Sequence, residues 1–309
     1  MKTILGAGIF NLDKIFVREY PLGYQKNSKF VDKLTKEEAG GTCGNICIML
    51  AHYGWKTYPV AKLDASADGY KMTESLKDFG CDCRYVTNTE DGGTTFLTIR
   101  HGLDKYGNKQ TRVMHGSTDK DGNPSRFPRR KHLKVRGEAP AFVEALDFVP
   151  DVFFFDDPAA AHRLIAKELK AKGSLVYFEP NTIKQNTDFT SVEHSDVIKF
   201  SEENIPDISF TDNYKDKLFI QTRGGDGLRF NLRGEGWVDL PPVQNDKVVD
   251  WDGAGDWTTT VFLKELGDAD ALSISKMTTE LVKSALEKAQ VVASKSVSYL
   301  GSKGMIQNK

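Results

Sequence analysis

The chain has 309 residues, 39% of them hydrophobic and 28% charged, with a formal net charge of −1. That is enough for one large domain or two modest ones around a sizeable core. The near-zero charge provides no global field for nucleic acid or an anionic membrane, and no apolar run approaches the roughly 18 residues of a membrane span.

In chain order, the first predicted element is a strand and its turn over residues 3–10. Asp13 and Lys14 follow too soon for a secretory leader. Residues 43–54 read as a helix ended by Gly54, 56–63 as a strand, and 67–80 as a helix ended by Gly80. Strands are predicted at 152–156, 174–180, 196–200 and 218–222, with a helix at 159–173 between the first two. Two helical stretches, near 256–266 and over 271–300, close the chain. Apolar strands alternating with amphipathic helices predict a parallel sheet covered on both faces.

Two segments break this rhythm. Residues 14–38 contain short extended pieces around Pro21 and Gly23. Residues 94–115 read as a hairpin turning at Tyr106, Gly107 and Asn108. Hairpins do not fit a doubly wound sheet, so the two insertions predict a small second sheet that could cover a site. Residues 126–136, with Arg126, Arg129, Arg130, Lys131, Lys134 and Arg136, form the one basic cluster and read as a solvated loop and helix face, with binding of a phosphate or another anionic partner as the alternative.

The four cysteines fall into two pairs. Cys43 and Cys47 share a helix face, and Cys81 and Cys83 share a strand face. The CxxC knuckle of zinc sites is absent, so they read as buried reduced thiols of a cytoplasmic protein.

Four glycine-containing motifs carry chemistry. Asp250-Trp251-Asp252-Gly253-Ala254-Gly255-Asp256 opens a helix, where unpaired N–H groups and the positive end of the dipole create an anion hole. An Asp in that first turn can take a proton from an attacking hydroxyl. Thr222-Arg223-Gly224-Gly225-Asp226-Gly227 follows a strand, and its glycines let backbone N–H groups form a phosphate nest. Gly40-Gly41-Thr42-Cys43-Gly44-Asn45 opens another helix. Gly6-Ala7-Gly8-Ile9-Phe10-Asn11-Leu12-Asp13 superficially matches a dinucleotide fingerprint. Asn11 replaces its third glycine, however, and no acidic residue closes a second strand. The P-loop GxxxxGK[ST] is absent, and Asp78-Phe79-Gly80 lacks a preceding HRD catalytic loop.

In this order and spacing, the motifs resemble those of the ribokinase-like (PfkB) carbohydrate kinase family over almost the whole chain. The resemblance rests on Asn11 and Asp13, on Gly40, Gly41 and Asn45, and on the segment from Asp64 to Gly69. It continues through Glu179-Pro180-Asn181, Lys199 to Glu203, Thr222, Gly224 and Gly227, and the D-x-x-GAGD signature.

The resemblance implies a single α/β domain over 1–309, three-layered α/β/α with a small β-sheet lid from the insertions at 14–38 and 94–115. It implies ATP-dependent transfer of a phosphoryl group to a sugar hydroxyl, with Asp256 as base and Gly253, Ala254 and Gly255 as anion hole. Asn11, Asp13, Gly40, Gly41 and Asn45 would form the sugar site, and Thr222, Gly224 and Gly227 the nucleotide site. Mg²⁺ would bridge the ATP phosphates, with Glu203 and Asp250 as candidate metal residues. Part of the family also binds a monovalent cation near the equivalent of Asp250.

The sequence departs from the family at Trp251 and Asp252, where small hydroxyl residues are usual, and at Trp257, Thr260 and Val261. Ser201 and Asn204 interrupt the N-x-x-E pattern, and Glu179 replaces an Asp. The stretch 179–184, with Lys184 in its basic position, resembles that of fructokinases and ketodeoxygluconate kinases and points to a hexose or sugar acid. The alternatives are a nucleoside kinase, with Phe10, Phe16, Tyr20 or Phe96 stacking a base, and a catalytically silent sensor. An exposed lid sheet would also favour a homodimer.

Overall fold

The computed structural model describes residues 1–21, 33–103, 109–118, 124–125 and 130–307. In chain order the elements begin with β1 (Thr3–Ala7), β2 (Asn11–Pro21), β3 (Lys33–Gly40), α1 (Thr42–His52), β4 (Lys56–Asp64), α2 (Ala67–Asp78) and β5 (Val86–Thr89). Next come β6 (Thr95–Leu103), β7 (Lys109–Thr118), β8 (Pro124–Ser125), α3 (Glu138–Ala145), β9 (Val152–Phe155) and α4 (Ala160–Ala171). β10 (Leu175–Phe178), α5 (Asn186–Glu193), β11 (Val197–Ser201), β12 (Leu218–Thr222), β13 (Leu228–Leu232) and β14 (Trp237–Leu240) follow. The last helices are α6 (Ala254–Asp268), α7 (Thr279–Ser296) and α8 (Gly304–Gln307).

The large sheet runs β14-β13-β12-β11-β10-β9-β1-β4-β5. It is parallel from β12 to β5, and β13 and β14 add an antiparallel edge. Side chains of successive strand residues enter opposite layers. Ile4, Phe154 and Tyr177 pack with α1, α6 and α7, whereas Leu5, Phe153 and Val176 pack with α3 and α4. Both faces are therefore apolar, as the near-continuous hydrophobic strands predict. Each fully buried Phe of β9 contributes on the order of 1.5–3 kcal/mol. α7 meets this core with Val282, Ala285, Leu286, Ala289 and Ala293, a stripe at helical spacing.

The second sheet runs β3-β2-β6-β7-β8. β2 pairs antiparallel with β3 and parallel with β6, and β6 pairs antiparallel with β7. The fold is thus the three-layer α/β/α arrangement with a small sheet. The turn at Tyr106 to Asn108 lies outside the described residues, as do Gly23, Arg126 and Arg129.

Several boundaries differ from the sequence expectation. The β13–β14 hairpin has no predicted counterpart. The last long helix starts at Thr279 rather than 271, because the Thr278 hydroxyl caps it by accepting from Leu281 N at 3.2 Å. Cys83 sits in a 3-10 turn, Cys83–Tyr85, rather than on a strand. All four cysteines are free thiols, and among the described residues no group of three His, Cys, Asp or Glu could hold a metal ion. Arg130 to Arg136 form a loop before α3, where Arg130 pairs with Asp157 at 3.4 Å. Among the described residues no helix is long and apolar enough to cross a membrane.

Candidate active site

The site lies where α1 and α6 begin, beside β2, β3 and the C-terminal segment. Gly253 caps α6 in the left-handed conformation (φ 79°, ψ −1°), and a Cβ there would lie 2.7 Å from Ser302 Cα. Glycine is required on both counts. The turn delivers Ala254, Gly255 and Asp256 as the first helical residues, whose N–H groups point out of the helix end. Ala254 N–H bends back weakly to Trp251 O at 3.4 Å. Beneath the turn, buried Lys199 donates to Gly255 O at 3.1 Å and pairs closely with Glu179, which also accepts from Thr259 at 2.7 Å.

Asp256 is buried, and Asn45 Nδ2 donates to its Oδ2 at 2.6 Å. Burial, reinforced by the Glu179 carboxylate, lifts the Asp256 carboxyl to about 7, against the pull of Asn45 and Lys199. A carboxylate poised near neutrality is suited to act as a general base.

Asn45 occupies the first turn of α1, behind Gly41 (φ 79°). Its carbonyl Oδ1 accepts from Lys303 Nζ at 2.8 Å and from Ser302 Oγ at 3.1 Å. Both ends of the amide are therefore engaged, and Asn45 holds the Asp256 carboxyl in a fixed orientation. Asp13 enters from β2 beneath Gly40, where any Cβ would run into its carboxylate. Burial raises the Asp13 carboxyl to about 8; Lys303 opposes this, while Asp252 and Glu38 add to it. Its Oδ1 accepts no hydrogen bond. Asn11 faces elsewhere: its Oδ1 accepts from Thr95 Oγ1 at 2.5 Å and ties β2 to β6.

Thr222, Gly224 and Gly227 line a separate cavity of about 480 Å³ that also reaches Ala254 and Gly255. Val243, Val248 and Val297 give it apolar walls, and Trp251 stands at its edge, 68% exposed. The cavity thus runs from the glycine turn to the start of α6.

The two candidate metal residues are not brought together. Glu203 is exposed on the turn after β11. Asp250 is buried, and its oxygens accept from Asp252 N at 3.1 Å and Gly301 N at 2.9 Å. His101 Nε2, from β6 of the small sheet, stands 3.3 Å from Asp250 Oδ2. Burial pushes the Asp250 carboxyl up, but His101 and the two amides hold it below its usual range. Of the aromatics considered for stacking a base, Phe10 is buried in the core, Phe96 lies 5.1 Å under Lys14 Nζ and Phe16 lies 5.4 Å under the Arg100 guanidinium. The side chain of Tyr20 lies outside the described residues.

Lys303, Glu38 and His101 carry no motif. Only the tertiary structure marks them, by bringing Lys303 to Asp13, Glu38 and Asn45 and His101 to Asp250.

The model of the pfkB family carbohydrate kinases matches residues 15–308. No curated protein matches the chain. Among solved structures, it is similar to Arabidopsis thaliana ribokinase complexed with ribose and ATP, at 17% identity and a TM-score of 0.67, over 97% of this chain and 93% of that one. It is also similar to ribokinase from Giardia lamblia (16%, TM-score 0.68, 98% and 96% covered). A third is the nucleoside kinase of Methanocaldococcus jannaschii (18%, TM-score 0.65, 98% and 94% covered).

Proposed function

Since the chain belongs to the pfkB family of carbohydrate kinases, phosphotransferases with an alcohol acceptor, we propose that it moves the γ-phosphoryl group of ATP onto a sugar hydroxyl. The observation that carries this reading is Asp256, in the first turn of α6, oriented by Asn45 and flanked by Gly253, Ala254 and Gly255. ATP occupies the cavity of Thr222, Gly224 and Gly227, with its phosphates toward Gly255. The sugar lies against Asp13, Gly40 and Gly41.

In the reaction, Asp256 accepts the proton of the sugar hydroxyl as its oxygen attacks the γ-phosphorus. That P–O bond forms while the bond to the ADP oxygen breaks, and the α6 amides hold the charge that builds on the phosphoryl oxygens. Lys199 fixes the Gly255 carbonyl, and with it the direction of those amides. Mg²⁺ bound with ATP would offset the charge of its phosphates beside the α6 amides. A monovalent cation beside Asp250 would have to compete with His101 for Oδ2.

The test is ADP release with ATP, Mg²⁺ and a panel of ribose, fructose, glucose, ketodeoxygluconate and adenosine. Turnover that depends on a sugar supports the reading. Turnover with adenosine alone would transfer it to the nucleoside kinases, and ATP binding without turnover on any member would leave a sensor.

A further inference from the structure

Lys303 is a wholly buried lysine that no motif explains. Its side chain crosses from the C-terminal segment into the acceptor pocket. There its Nζ donates to Asn45 Oδ1 at 2.8 Å and to Ser302 Oγ at 2.9 Å, and stands 3.5 Å from Glu38 Oε1 and 3.6 Å from Asp13 Oδ2. The segment that carries it is pinned on three sides. Gly301 N donates to Asp250, the indole of Trp257 donates to Ser302 O at 2.9 Å, and Gln307 Nε2 donates to Glu38 Oε2 at 2.6 Å. Trp257, one of the departures from the family pattern, thus helps to place Lys303.

Acidic groups crowd this ammonium. Asp13 faces it from β2, Glu38 from β3, Asp252 from the loop before α6 and Asp256 from α6 itself. Burial alone would favour the neutral amine, but these carboxylates overcome it and hold Lys303 in the charged form. One cation therefore meets four acidic groups. Two buried oxygens, Asp13 Oδ1 and Glu38 Oε1, accept no hydrogen bond. Unmade hydrogen bonds on buried polar atoms are costly, so Glu38 Oε1 calls for a donor from outside the chain and Asp13 Oδ1 for a partner. Hydroxyl groups supply such donors; a carboxylate or phosphate supplies none and adds negative charge.

We propose that Lys303 sets acceptor specificity: its ammonium donates to one oxygen of an uncharged polyhydroxy acceptor, and the carboxylates around it exclude acceptors that bear a carboxylate or phosphate. This rests on the phosphotransferase reading above and narrows it. Of the hexose and the sugar acid to which the sequence pointed, it selects the hexose. Lys303 also acts on Asp256 through Asn45, as a positioning residue.

The experiment compares matched pairs, glucose with gluconate and fructose with fructose 6-phosphate, by ADP release and by thermal shift with each sugar. The expected result is kcat/KM at least about tenfold higher for an uncharged member than for its anionic partner, the scale of one charge-assisted hydrogen bond. Lys303→Met should raise KM for the uncharged sugar by roughly tenfold or more. It should also move the acidic limb of the kcat profile to higher pH, because Asp256 loses a nearby cation. Lys303→Arg, which keeps the charge, should leave that limb in place. A lysine that only fills space would lower activity without moving the limb. Preference for the anionic partners, or an unmoved limb in Lys303→Met, overturns the inference and leaves the kinase reading standing. Silence of every sugar removes both. If Lys303→Met fails to fold, the wild-type pairs and Lys303→Arg still decide the question.

Discussion

As the proposed base, Asp256 should set how turnover depends on pH, and the sign follows from its surroundings. Burial and Glu179 raise the carboxyl to about 7, from an ordinary value of 3.8. Because the folded value lies above the unfolded one, folding favours the protonated acid, and stability from this group declines as pH rises toward 7. Catalysis runs the other way, since a base must be ionised. With one controlling group near 7, the ionised fraction is about one-tenth a pH unit below and about nine-tenths a unit above. The ratio kcat/KM for the sugar, which follows the free enzyme, should therefore be roughly tenfold lower near pH 6 than near pH 8. Asp256→Asn keeps the shape but cannot take the proton, and its NH₂ group competes with that of Asn45. We expect kcat to fall by at least ~10²-fold and the pH dependence to flatten, with ATP affinity little changed. Coupled ADP-release assays across the pH range, with ATP titrated calorimetrically, measure both. A variant with near-normal kcat, or a wild-type profile flat from about pH 6 to 8, would remove Asp256 as the base.

Asp13→Ala should raise KM for the sugar far more than for ATP, and equal effects would make Asp13 structural. Lys199→Met should lower kcat by about tenfold, less than the ~10²-fold of losing a direct oxyanion donor, with sugar KM unchanged; a matching rise in sugar KM would contradict the assignment. Gly253→Ala forces a Cβ onto Ser302 at positive φ and should cost about 1–3 kcal/mol, seen as a lower Tm. On the small sheet, Val17, Leu34, Val113 and Met114 are exposed. If two copies meet there, Met114→Lys should shift sedimentation toward the monomer, and an unchanged profile would dismiss that interface.

The sequence by itself determined the alternation of strands and helices, the glycine turns before α1 and α6, and the position of Asp256 in the first turn of α6. These are local properties: apolar runs read as buried strands, and Gly41 and Gly253 stand where the chain must take positive φ to enter a helix. The separation of residues 94–115 from the parallel sheet was also legible, because their alternating pattern around Gly107-Asn108 reads as a hairpin. The β13–β14 edge was not, since strands of five and four residues carry little periodicity. The tertiary structure alone decided which side chains meet. Asn45 looks like a sugar ligand in its motif, yet both ends of its amide are engaged by Asp256, Ser302 and Lys303. Asn11 belongs to the same apparent set but ties β2 to β6. Lys303 lies 258 residues from Asn45 along the chain, and a lone lysine near a C-terminus has no pattern to mark it. Its charge acquires meaning only where folding removes water and gathers Asp13, Glu38, Asp252 and Asp256 around it, because a Coulomb interaction depends on distance and burial, not on sequence order.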